Sequence, residues 1–96
     1  MVTHIVMFKF KDENRENNIL KAKDILNELI ETIPMLLSME VGINFSKEDR
    51  AMDLSIITTF KNKSDLNEYA IHPEHIKVVN FIKEVVIESK VVDYEN

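Results

Sequence analysis

Ninety-six residues, 45% of them hydrophobic and 30% charged, make one domain, 1–96, with apolar content for a single modest core. The formal charge is −5 from 12 basic and 17 acidic residues, and the basic ones are scattered, which argues against a nucleic-acid partner. The chain has no cysteine, so disulfides, thiolate catalysis and thiolate metal sites are excluded.

No apolar run approaches the ~20 residues that span a bilayer. The opening Met-Val-Thr-His lacks the basic start of a secretion signal. The expectation is a cytoplasmic protein with no membrane contact. Residues 2–11 alternate, with Val2, His4, Val6, Phe8 and Phe10 on one face and Thr3, Ile5, Met7, Lys9 and Lys11 on the other. A period of two with β-branched and aromatic residues predicts a strand, and His4 lies on the face that helices would cover. The polar stretch 12–18 predicts a helix start, with Asp12 or Asn14 as its cap. Ile19, Ala22, Leu26, Leu29 and Ile33 then recur at spacings of three and four, a helical stripe that Pro34 ends.

Residues 36–45 predict a second strand, with Met39, Val41, Ile43 and Phe45 on one face. Gly42, the only glycine, predicts a bulge or a close backbone approach. A polar turn at 46–50 leads to a third strand at 52–60, and the two strands make a hairpin. Ser64 predicts the cap of a short helix from Asp65 to about Ala70. Pro73 holds His72 in extended geometry and suits the first position of a new helix. That second piece runs to about Val85, with His75, Val78, Val79 and Ile82 on its apolar face. The stretch from about Val86 to Tyr94 predicts a β-branched fourth strand.

The order strand, helix, strand, strand, helix, strand predicts an α+β fold of ferredoxin-like βαββαβ type, an antiparallel sheet with both helices on one face. Helices cover only one side, yet Ile5 and Met7 sit on the other. An uncovered apolar face is usually an interface, so the expectation is a homodimer packed through the helix-free sheet face.

The candidate site is the stretch from Tyr69 to His75, which holds two of the three histidines. His75, on an apolar helix face, reads as a core histidine or as a general base. An imidazole with a pKa of about 6.5 suits proton transfer at neutral pH, and burial keeps it neutral. Tyr69 is a phenol that can polarise a carbonyl or orient His75; otherwise it is a packing tyrosine. His4 is a third polar group of the same cavity or a core residue. His72 reads first as a cap at the break and stands with the ligand-binding candidates. His72 and His75 make no metal pair, because Pro73 places His72 outside the helix and no third ligand stands at characteristic spacing. A single glycine leaves no phosphate loop, and no cofactor is expected.

The first strand from His4 to Lys11, the Ile33-Pro34 stop, the run from Glu40 to Asn44, the Tyr69-x-x-His-Pro-x-His75 motif and the ending Val92-Asp93-Tyr94 resemble, in this order and spacing, the stress-responsive α/β-barrel domain (Dabb) family. The resemblance covers nearly the whole chain. It implies a dimeric α/β barrel with a cavity between sheet and helices. Most members of that family have no assigned reaction. In its plant polyketide cyclases the tyrosine and second histidine of the motif do acid–base work, and Tyr69 and His75 match them. His4 matches the family's strand-one histidine. Three functions are therefore in view: a dimer that binds a small organic ligand, a cofactor-free enzyme of cyclase or lyase type using His75, Tyr69 and His4, and a structural stress-protective dimer with a filled cavity.

Overall fold

The computed structural model describes all 96 residues, Met1–Asn96. The alternating start of the chain forms β1 (Val2–Phe10), which lies inside a four-stranded antiparallel sheet. It pairs with β3 (Leu54–Phe60) on one side and β4 (Val86–Glu95) on the other, and β2 (Ser38–Ile43) is the edge beyond β3. Four helical pieces fill the connections: α1 (Arg15–Asn27), α2 (Leu29–Thr32), α3 (Lys63–Ile71) and α4 (Pro73–Val85). The ferredoxin-like order read from the sequence is the order observed.

Register sorts the two faces of the sheet, because residues directly opposite one another share a face. Val6 stands between Ile56 and Val91 on the helix side, while Ile5 stands between Ile57 and Val92 on the other. The helix side carries the core. Ile19, Ala22 and Leu26 of α1, Leu29 of α2 and Val78 and Ile82 of α4 are buried against Phe10, Leu54, Ile56 and Phe60. Each such side chain contributes roughly 1.5–3 kcal/mol by leaving water. On the helix-free side Glu40, Ile57, Ile5 and Val92 form one row across all four strands. Val92 is 55% exposed there.

Several local expectations need correction. The long first helix is interrupted at Glu28, which keeps helical dihedrals (φ −67, ψ −23), so the backbone stays locally helical through the break. Ile33 is extended because the ring of Pro34 crowds a helical residue before it. Asn14 takes the cap position in left-handed geometry (φ 51), which asparagine tolerates, yet its side chain makes no cap bond. The cap of α3 is Asn62 and not Ser64: its side chain accepts from the Asp65 amide at 2.8 Å. Gly42 marks no bulge, since β2 and β3 pair without a shift. It marks a close approach, because a Cβ there would lie 3.3 Å from Ser55 Oγ. Phe45 lies beyond β2 and is 96% exposed, so it does not share the strand's core face.

Asp53 precedes β3 and is buried. Its carboxylate accepts from the Phe10 amide at 2.7 Å and from the Arg15 guanidinium, and its own amide donates to the Phe8 carbonyl at 2.8 Å. It thus ties the end of β1 to the β2–β3 connection and to the first turn of α1. No helix is long and apolar enough to cross a membrane.

Candidate functional site

The break at His72-Pro73 positions the site. α3 ends at Ile71, His72 is extended (φ −64, ψ 135), and Pro73 opens α4. His72 Nδ1 accepts from the Glu74 amide at 3.1 Å, so this histidine is the N-cap of α4. The chain turns there, and the last turn of α3 meets the first turn of α4. Tyr69 and His75 come face to face, ring centroids 4.2 Å apart at 39°. On its other side Tyr69 packs against Phe60, 5.0 Å between centroids.

Each histidine of the site has one nitrogen committed. His75 Nδ1 donates to the Ala70 carbonyl at 3.1 Å. His4 Nδ1 donates to the Asp93 carboxylate, its cross-strand neighbour on β4. A carbonyl and a carboxylate are acceptors only, so whenever either ring is neutral its proton sits on Nδ1 and its lone pair on Nε2. Those two Nε2 atoms and the Tyr69 hydroxyl have no protein partner. No buried side-chain polar atom in the fold lacks one, so all three reach open space. The space they line is a cavity of about 390 Å³ between α4 and the β1–β4 half of the sheet. That size is within the roughly 300–1,000 Å³ of small-molecule sites. Its remaining wall is mostly apolar: Val6, Phe8, Leu26, Ile56, Val78, Val79, Ile82, Val86 and Val91.

Burial sets the proton affinities. It pushes the Tyr69 phenol up from its ordinary value of 10.0, so the hydroxyl stays a donor. It holds the His75 imidazole below 6.5, against the pull of the Ala70 carbonyl and with help from the nearby His4 and His72. A neutral base and a neutral acid therefore share one end of an apolar cavity. Together they can bind a carbonyl or hydroxyl and move a proton beside it.

Of the four residues marked in the sequence, His4, Tyr69 and His75 come together, and His72 does not line the cavity. Asp93 and Ser89 carried no site expectation, and Lys83, expected opposite the apolar face of its helix, lines the cavity instead. Asp93 was legible only through strand register, which sets it beside His4. Ser89 and Lys83, at the cavity's other end, have no motif of their own.

The Dabb family model, described as the stress responsive A/B barrel domain, matches residues 2–96. The stress-response A/B barrel domain-containing protein DABB1 of Arabidopsis thaliana is 29% identical over 98 aligned positions. These take in 98% of this chain and 46% of that protein, so the chain spans less than half the relative's length. Among solved structures, a dimeric protein of ferredoxin-like fold from Bacteroides fragilis superposes with a TM-score of 0.90 at 29% identity, covering 99% of this chain and 95% of that one. A hydroxynitrile lyase from Passiflora edulis, 20% identical, shares the fold with a TM-score of 0.85 over 97% of this chain and 90% of its own.

Proposed function

The chain belongs to the stress-responsive A/B barrel domain (Dabb) family, and from that premise we propose that it is a homodimer whose subunits each bind a small oxygenated organic molecule beneath α4. One observation carries this reading: three polar atoms without protein partners, on His4, Tyr69 and His75, line a cavity whose wall is mostly apolar. The apolar wall supplies affinity by burial, and the polar end fixes a carbonyl or hydroxyl. A cavity of about 390 Å³ favours a ligand over the filled-core structural dimer.

A second reading, acid–base turnover, has its own observation. The Ala70 carbonyl fixes the His75 ring so that its Nε2 lone pair is free, and Asp93 orients His4 in the same way. His75 Nε2 would take a proton from carbon next to a substrate carbonyl. The C–H electron pair would move into an enolate, and the Tyr69 hydroxyl would donate to the developing oxyanion. The proton then returns from His75 to product. No cofactor enters this scheme. A fold shared with a hydroxynitrile lyase is compatible with such chemistry but does not assign it.

For the dimer, support comes from the Ile57–Ile5–Val92 row on the helix-free face and from the dimeric relative. Light scattering at micromolar concentration should give about twice the 11.2 kDa chain mass, and Ile57→Glu should return the mass to one chain. A wild-type mass of one chain would sink the dimer.

The ligand is tested by following the three histidine ring C–H signals by NMR with small phenols, β-diketones and carboxylic acids. His4 and His75 should shift while His72 stays still. If none of these compounds moves either signal, the binding reading fails. If Tyr69→Phe and His75→Ala keep affinity and abolish turnover of a bound compound, the enzyme reading stands.

A further inference from the structure

The cavity has a second polar end. Lys83, in the last turn of α4, and Ser89, on β4, line it together with the histidine–tyrosine cluster. Two independent rulers place the ends apart. From His75 to Lys83 is eight residues of helix, ~12 Å at about 1.5 Å per residue. From His4 to Phe8, the cross-strand partner of Ser89, is four residues of strand, ~14 Å at about 3.4 Å per residue. β1 and α4 run the same way: α4 ends at Val85, and the next residue, Val86, pairs with Phe10 at the end of β1 far from His4. Between the ends the wall is aliphatic, with Val6, Val78, Val79 and Val91 among its members.

Lys83 is also chemically unoccupied. Lys63, Lys77 and Lys90 each hold a glutamate, whereas Lys83, like six other lysines, has no ion-pair partner, and it is the one lysine that lines this cavity. The whole chain carries −5, so its average field repels an anion. An ammonium at the rim of an apolar cavity reverses that field locally. It also offsets the negative carbonyl end of α4. The Ser89 hydroxyl adds a neutral donor on the same side.

We propose that the cavity selects an amphipathic carboxylic acid: a carbonyl or hydroxyl seated at His4, Tyr69 and His75, an apolar chain lying along α4, and a carboxylate held by Lys83. The proposal rests on the ligand-binding reading above and narrows it to a substrate class. Lys83 is a specificity residue in this account and takes no part in proton transfer.

Two nine-carbon probes separate the ends: 8-oxononanoic acid, with a ketone and a carboxylate, and 2-nonanone, with the ketone alone. Affinities are read from the His75 ring signals by NMR in wild type, Lys83→Met and Lys83→Arg. Methionine keeps the aliphatic length of the stem and removes the charge. Wild type should bind the keto acid about fivefold tighter than the ketone, the scale of a rim ion pair. Lys83→Met should erase that preference, Lys83→Arg should keep it, and ketone affinity should be the same in all three.

Equal affinities for the two probes in wild type overturn the proposal, as does a preference that survives Lys83→Met. A lowered melting temperature in Lys83→Met with the preference intact assigns Lys83 to the helix end alone and also overturns it. If neither probe moves the His75 signals, the ligand-binding reading itself fails, which the first three outcomes leave standing.

Discussion

Replacing Asp53 with alanine tests the most crowded polar junction in the fold. Asp53 is 7% exposed, and its carboxylate serves the amide of Phe10, a residue that is fully buried. Removing it strands that amide without a partner and without water, a cost of about 1–3 kcal/mol. The Arg15 side chain is 33% exposed and can rehydrate, so loss of its ion pair adds under about 1 kcal/mol. The sum is about 3 kcal/mol, out of the ~5–14 kcal/mol expected for a domain of this size. At roughly 4–8 °C per kcal/mol, the melting temperature falls by about 12–24 °C. Asp53→Asn keeps an oxygen that can accept from the Phe10 amide, so it should cost only about 1 kcal/mol. Urea unfolding and scanning calorimetry of the two variants beside wild type read this directly. An alanine variant within about 0.5 kcal/mol of wild type would show that the amide finds another partner. An asparagine variant as unstable as the alanine one would show that charge, and not backbone satisfaction, is what Asp53 contributes.

Two further outcomes follow from the histidines. Because the folded-state pKa of His75 lies below 6.5, the unfolded chain takes up its proton first on acidification. The stability it contributes is complete above about pH 6.5 and is lost as pH falls from there through the folded value. The slope is bounded by about 1.4 kcal/mol per pH unit and is reduced by the partial exposure of the ring. A His75→Asn variant should lack this slope, and identical slopes for the two proteins in urea titrations would refute it. His72→Ala removes the N-cap acceptor of α4 and should cost about 1 kcal/mol, or roughly 4–8 °C in melting temperature, while ligand-induced shifts at His75 stay unchanged. A loss of affinity in that variant would return His72 to the binding site.

Pattern carried far in this chain wherever one face of an element is buried. The two-residue period of β1 placed His4 on the helix side, and Pro73 marked both the cap at His72 and the first residue of α4. The pairing of Tyr69 with His75 was legible because a break three residues before His75 leaves few ways to join two short helices. What escaped were features set by tertiary contact. Asp53 fell inside the predicted third strand, 52–60, and only the approach of β1 and Arg15 shows that it is buried and paired. Asp93 and His4 stand at opposite ends of the chain, and no local signal relates them until the β1–β4 register is known. Asn62 outcompeted Ser64 because α3 begins at Lys63, one residue before the serine.

The seam between β1 and β4 also dictates when the site comes into being. His4 and Asp93 are 89 positions apart, so their contact closes nearly the longest loop this chain can close. Pairings of such separation slow folding, and none of them forms from local structure. On a ribosome, His4, Tyr69 and His75 all emerge well before Asp93. β1 can meet β3 at that stage, but its other edge stays bare, the cavity has no β4 wall and His4 has no carboxylate to orient it. Until β4 pairs, the chain is an unfinished sheet with a bare flank, and the cavity gains its β4 wall in a single late step. A chaperone that shields the free edge of β1 during that interval would protect the protein at its most aggregation-prone moment.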